Sequence, residues 1–356
     1  MKRLILSLLA TGAFATGALA QGELSYTASE PVKYPRTIYA GEVAGVATNS
    51  RGHIFVYQRA GNPFVALGAS RIFTHGGDQL LQFDQNGNFV REIGKGNYAF
   101  TVANSVRVDR QDNVWAVDRT AGMVIKFSPD GSRILLLLGR KPEAIQITVP
   151  AAAGGAGRGA APAGRGGRGG VPGAGAQADV LPGAADVAWD GQGNIFVADG
   201  WGANNRIAKF TPDGVFVKSF GKTGDDNESL NSPRSLAVDA IGNVYVADHN
   251  NHRIQVLDNN LNYLRSITGI GDPWAVCISP GPHQYLYASN SNPMDNLDTA
   301  GEIYKLELTG QVVGRFGRAG KAPREFATVN QMDCRQPDTL YTAEAGAWRV
   351  QKVTLR

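Results

Sequence analysis

Short runs with an apolar residue at every second position fill this chain, and the runs come in groups of four. Residues 233–256, PRSLAVDAIGNVYVADHNNHRIQV, show the pattern. Leu236 and Val238 form an alternating run, and Asp239 to Asn243 supply an Asp-x-x-Gly-Asn turn. A second run, Val244-Tyr245-Val246, ends on Asp248, and a loop leads to Arg253-Ile-Gln-Val256. A hairpin and a fourth run that ends in glycine follow, LDNNLNYLRSITG. Alternation in β-branched and aromatic residues predicts half-buried strands. The Asp, Asn and Gly clusters between them predict tight antiparallel connections. No long window carries a 3.6-residue period, so helix is expected to be nearly absent.

The phrase recurs along the chain. Residues 184–209 read AADVAWDGQGNIFVADGWGANNRIAK and residues 104–127 read NSVRVDRQDNVWAVDRTAGMVIKF. Further copies begin near residues 43, 274 and 330, which makes six. One four-stranded sheet cannot bury both of its faces, but sheets stacked around an axis can. A repeat of roughly 40–50 residues with four strands predicts a propeller blade. The expected fold is all-β, a six-bladed β-propeller of four-stranded antiparallel blades over residues 21–356.

Two segments stand outside the pattern. Residues 1–20, MKRLILSLLATGAFATGALA, have a basic start, a short apolar run and an Ala-Leu-Ala site, which predict a signal peptide and a periplasmic or secreted protein. No later run is long enough to span a bilayer, so no membrane span is expected. Residues 151–178 are rich in Gly, Ala and Arg with one Val, and they read as a disordered insertion between the second and third blades.

Charge narrows the partners. Thirty-five basic and thirty-one acidic residues give a formal charge of +4. Five of the basic residues are Lys2 and Arg3 in the leading segment and Arg158, Arg165 and Arg168 in the insertion, so the body is near −1. It offers no basic face, and nucleic acid is not an expected partner. The two cysteines, Cys277 and Cys334, could form one bridge after export or stay as buried thiols. The five histidines show no metal-ligand spacing, and no Ser/His/Asp or Cys/His set can be assembled.

The run from Asp239 to Asp248 followed by Asn-His-Arg-Ile-Gln-Val resembles an NHL repeat. Gly-Val-Ala at 45–47, Tyr-Gln-Arg at 57–59, Ala-Asp-Gly-Trp at 198–201 and Pro-Arg-Ser-Leu-Ala-Val-Asp at 233–239 are similar to the peptidyl-hydroxyglycine amidating lyases and their bacterial relatives. That resemblance implies a central zinc held by one His from each of three innermost strands. Here those positions hold Asn104, Arg234 and Asn330. A guanidinium stays protonated and repels the ion, and amides are poor replacements for imidazole. The family's motif Tyr falls on Trp201, its fourth-blade Arg on His249, and its first-blade Arg on Arg59. A structural calcium would use carbonyls at Val46 and Val106 and a carboxylate, whose place is taken by Gln331. No cofactor is expected: zinc does not suit these residues and calcium lacks its carboxylate.

Two kinds of position recur in the repeat. The acids that end the second strands (Asp118, Asp199, Asp248, Glu344) return blade after blade, as do Arg206, Arg253 and Arg349, and they read as loop-capping pairs. The first position of the innermost strand differs in each copy: Ala44, Asn104, Ala185, Arg234, Trp274 and Asn330. The common scaffold does not explain that variation. With Arg59, Trp201 and His249 nearby, Asn104, Arg234, Trp274 and Asn330 predict a polar, aromatic and cationic channel mouth. It could be a pocket for a small anionic or peptide-like ligand or a protein partner, or a plugged and solvated mouth. The sequence leans away from catalysis. The alternative is a lyase or hydrolase that uses a remodelled site with Arg59 and His249.

Overall fold

The computed structural model describes residues 22–60, 64–66, 72–74, 77–139, 180–202, 204–293 and 295–356. The expected signal peptide and the 151–178 insertion lie outside these residues.

Six four-stranded antiparallel sheets are present. The first blade comprises β2 (Glu42–Thr48), β3 (Ile54–Arg59), β6 (Gln79–Phe83) and β7 (Phe89–Ile93), with a hairpin of β4 (Phe64–Ala66) and β5 (Ile72–Thr74) inserted after β3. The second is β8 (Ala103–Val108), β9 (Val114–Asp118), β10 (Met123–Phe127) and β11 (Ile134–Gly139). The third is β12 (Ala184–Trp189), β13 (Ile195–Asp199), β14 (Arg206–Phe210) and β15 (Phe216–Phe220). The fourth is β16 (Pro233–Val238), β17 (Val244–Asp248), β18 (Arg253–Leu257) and β19 (Tyr263–Ile267). The fifth is β20 (Pro273–Ile278), β21 (Tyr285–Asn290), β22 (Glu302–Glu307) and β23 (Val312–Phe316). The sixth is β24 (Val329–Gln336), β25 (Thr339–Glu344) and β26 (Arg349–Leu355), completed by β1 (Tyr26–Ser29) from the other end of the chain. A 3-10 turn at His249–Asn251 is the one helical element among the described residues. No helix among them is long and apolar enough to cross a membrane.

Alternation along the strands becomes packing between blades. Successive side chains of a strand point to opposite faces, so a blade can feed two neighbours at once. In β17, Val244 and Val246 join the apolar cluster shared with the third blade, while Tyr245 and Ala247 join the one shared with the fifth. The core is six such clusters, one at each blade interface. The predicted turns form as the repeat requires. Asp239 Oδ1 accepts the backbone N–H of Ile241 at 3.0 Å and of Asn243 at 2.8 Å, and Asp109 and Asp190 repeat the arrangement.

The recurring acids cap loops. Asp118 accepts the N–H groups of Thr101, Val102 and Ala121, Asp248 that of Asn231, and Glu344 that of Ala327. Their arginines hold the same loops: Arg206 pairs with Asp199 at 3.2 Å, Arg253 with Asp248 at 2.8 Å and Arg349 with Glu344 at 3.2 Å. The two cysteines, left open by the sequence, are bonded, with Cα atoms 6.1 Å apart, and join β20 to β24 across the fifth and sixth blades.

The axis is plugged. Arg107 donates to both oxygens of Asp186, to the Met332 carbonyl at 3.0 Å and to the Val276 carbonyl at 3.3 Å, tying four blades together. Gln331 fills a further part of the axis. Its Oε1 accepts Val46 N–H at 3.1 Å and Val106 N–H at 3.0 Å, and its Nε2 donates to the Val106 carbonyl at 2.6 Å. The groups that line the axis thus hydrogen-bond one another instead of opening a pore.

Candidate functional site at the channel mouth

A β-bulge marks the start of every innermost strand. Pairing shifts between Val43 and Gly45, Ala103 and Ser105, Ala184 and Asp186, Pro233 and Ser235, Pro273 and Val276, and Val329 and Gln331. The residues in those gaps include Ala44, Asn104, Ala185, Arg234, Trp274 and Asn330, the six that vary between copies of the repeat. A bulge takes a residue out of the ladder and re-aims its side chain. Repeated around an axis, it turns one position per blade into a ring.

Hydrogen bonds link five of these positions around the ring. Trp274 Nε1–H donates to Asn330 Oδ1 at 3.2 Å. Asn330 Nδ2 donates to the carbonyls of Ala44 at 2.6 Å and Asn104 at 2.8 Å. Asn104 Nδ2 donates to the Ala185 carbonyl at 2.5 Å. Both amides are buried and spend their N–H groups on neighbouring blades, so the structure gives them a stitching role in the floor of the mouth. The Arg234 guanidinium lies 5.1 Å from the Trp274 ring and 3.4 Å from that of Trp201. His249 packs against Trp274 with ring centroids 4.8 Å apart, and Trp201 meets Trp274 edge-on at 6.0 Å. Arg59 stands at the first-blade side of the mouth. Its Nη1 pairs with Glu42 at 2.9 Å and its Nε donates to the Ala103 carbonyl at 2.8 Å.

Sequence reasoning missed two residues. Arg119 covers the Trp201 ring at 4.4 Å and reaches back toward Arg59 along the wall of a cavity of about 750 Å³. Residues 37–42, Ala60, Gly77, Gln79, Val102 and Trp348 form the rest of that wall. A signal for Arg119 was available. It follows the acid that ends the second strand, as Arg59 follows Gln58 and His249 follows Asp248. Asp78 is the other. It accepts the N–H of Ala103, whose carbonyl is bound by Arg59, and its second oxygen is buried without a partner. Burial pushes its carboxyl up to about 7. Nothing in the alternation around Asp78 sets it apart.

Two cations of the mouth lack a direct acidic partner. Among the described residues no carboxylate forms an ion pair with Arg119 or Arg234. Burial, and then the charge of Arg119, pulls Arg234 down to about 9. Burial, and then the charge of Arg59, pulls Arg119 down to about 10. Burial, and then the charge of Arg234, holds His249 down to about 4, so its imidazole is neutral near pH 7. Arg234 Nε and Nη1, Trp201 Nε1 and His249 Nδ1 are buried without hydrogen-bond partners. His252, three residues on, turns away and pairs with Asp272, so the two histidines do not act together.

Residues 230–257 match the family described as the NHL repeat. Over 339 residues the chain is 24% identical to the peptidylglycine alpha-amidating monooxygenase of Rattus norvegicus, covering 88% of this chain and 30% of that protein. It is 25% identical over 232 residues to a probable peptidyl-alpha-hydroxyglycine alpha-amidating lyase of Caenorhabditis elegans, covering 62% of this chain and 57% of that one. The chain thus spans about a third of the length of the monooxygenase relatives it matches. Among solved structures, a streptogramin B lyase superposes with a TM-score of 0.53 at 12% identity, over 93% of this chain and 98% of its own. A protein of unknown function from Bacteroides thetaiotaomicron superposes with a TM-score of 0.61 at 11% identity, over 94% and 77%. These two likenesses speak for the fold alone.

Proposed function

Starting from an NHL-repeat β-propeller related to the amidating lyases, we propose that this protein binds a small anionic ligand at the channel mouth. One observation carries the reading: Arg119 and Arg234 stack on Trp201, and among the described residues neither has a carboxylate in ion-pair contact. Two half-buried cations that repel each other raise the free energy of the empty site. An anion that pairs with them removes that repulsion and gains charge-assisted hydrogen bonds. Trp201 and Trp274 add apolar surface for the body of the ligand. The plugged axis leaves the ligand one side to enter from.

We take the site to work without a metal. Arg234 carries a fixed positive charge at one of the three positions where the resemblance would place a zinc ligand. Asn104 and Asn330 direct their amide N–H groups at backbone carbonyls. At the axis, the Val106 carbonyl that a calcium ion would need already accepts Gln331. This donor set suits an anion, not a divalent cation. An exported location belongs to the same proposal. It rests on the composition of residues 1–20, and cell fractionation with intact-mass measurement checks it.

His249 supports a second reading, a lyase or hydrolase of altered chemistry. A neutral imidazole beside a guanidinium can take a proton from a bound ligand while the cation holds the developing charge. Incubation with a peptidyl-hydroxyglycine and analysis of the products tests that reading.

Isothermal titration with simple carboxylates, in low salt and at pH 7, tests the binding reading. The wild type is expected to bind, and Arg234→Gln to weaken binding about tenfold or more, the usual cost of one charge-assisted contact. An Arg234→Gln protein that folds and binds every carboxylate as well as the wild type sinks the proposal.

A further inference from the structure

The two unpaired cations are separated by the ring they share. Arg234 lies 3.4 Å and Arg119 4.4 Å from the centroid of Trp201. They reach it from two different blades: Arg119 follows β9 of the second, Arg234 lies in β16 of the fourth, and Trp201 follows β13 of the third, between them. The indole thus stands between the points from which the two side chains arrive. On one side, Arg119 lines the 750 Å³ cavity beneath residues 37–42 and Trp348. On the other, Arg234 lies 5.1 Å from the Trp274 ring, against which His249 also packs. Arg59 shares the first compartment and is ion-paired with Glu42, whereas Arg119 feels Glu42, Asp118 and Asp78 only from a distance and is left as the cation without a direct partner.

A single carboxylate seated against one guanidinium leaves the other, across the ring, unneutralised. We propose that the ligand carries two acidic groups and straddles Trp201, one group in the cavity at Arg119 and the other at Arg234. The inference rests on the reading of the mouth as an anion site and adds its charge class. A dianion neutralises both cations in one binding event. Its second contact forms at the high effective concentration that a short tether provides. A monoanion gains one contact and leaves the repulsion between the cations half relieved.

The test compares straight-chain dicarboxylates of four to eight carbons with monocarboxylates of the same lengths, by isothermal titration at matched ionic strength. At least one dicarboxylate is expected to bind about tenfold or more tightly than its monocarboxylate counterpart. Arg119→Gln and Arg234→Gln are each expected to bring that dicarboxylate down to the level of the monocarboxylate. Arg119→Lys, which keeps the charge, should keep the preference, and it serves if the Gln variant does not fold. Equal binding of the two series by wild type overturns the straddling ligand and leaves the anion site standing. So does a dicarboxylate preference that survives in a folded Arg119→Gln protein. Binding of neither series overturns both.

Discussion

His249 shows how a neighbour sets the chemistry of a single residue. In the unfolded chain its imidazole takes a proton near pH 6.5, but in the fold burial and Arg234 delay this to about 4. Between those values the unfolded state holds more protons. His249 therefore contributes stability that is present above about 6.5 and is lost as pH falls toward 4. We expect His249→Gln to abolish this loss. The stability difference between the two proteins should move by about 2 kcal/mol in the variant's favour from pH 7 to pH 4, the partial exposure of the ring trimming the full linkage value. Urea unfolding at several pH values reads it directly. A difference that does not change with pH would mean that the imidazole is solvated and titrates normally. Buried carboxyls such as Asp78, whose raised values act in the opposite sense, cancel in this comparison.

At the scale of the element, β1 is the strand that needs explanation. The last copy of the repeat supplies three strands, and residues 26–29 complete the blade by pairing with β26, from Tyr26 opposite Leu355 to Ser29 opposite Lys352. Tyr26 anchors the strand. Its ring lies 4.9 Å from that of Phe316, it packs beside Phe326, and its hydroxyl donates to the Arg324 carbonyl. Leu24 N–H also bonds the Arg315 carbonyl at 2.8 Å, and Lys33 N–H the Gly87 carbonyl at 2.8 Å, so this end of the chain stitches the fifth, sixth and first blades. Tyr26→Ala should cost about 3 kcal/mol, the lower end of the range for emptying a buried aromatic position. Tyr26→Phe should cost about 1 kcal/mol for the lost hydroxyl. Denaturant midpoints at unchanged slope measure both, and an alanine variant within 0.5 kcal/mol of wild type (about the scatter of a neutral surface change) would show that β1 does not close the ring.

For the whole molecule, closure is also covalent. The Cys277–Cys334 bond spans a sequence separation of 57 residues and fastens two innermost strands. By loop entropy such a bridge is worth about 4 kcal/mol. Reduction, verified by thiol counting, should lower the unfolding midpoint by a corresponding amount, and the double change Cys277→Ala, Cys334→Ala should do the same. Reduced protein that unfolds at the midpoint of the oxidised form would assign the ring's integrity to apolar packing and the Arg107–Asp186 plug alone.

Sequence alone determined the repeat and therefore the architecture. Alternation and Asp-x-x-Gly-Asn turns are local properties, set by side-chain period and backbone geometry, and they read out blade by blade. It also determined that Asn104, Arg234, Trp274 and Asn330 share a position, because a repeat exposes what departs from it. Tertiary structure decided the rest. That this shared position is a bulge follows from strand pairing, and that Asn104 and Asn330 spend their amides on other blades follows from ring closure. Arg119 joined the site only when the third blade brought Trp201 against it. Contacts between residues tens to hundreds of positions apart, such as Gln331 with Val46, carry no local signature. They exist only because six sheets meet at one axis, where side chains from every blade compete for the same few ångströms.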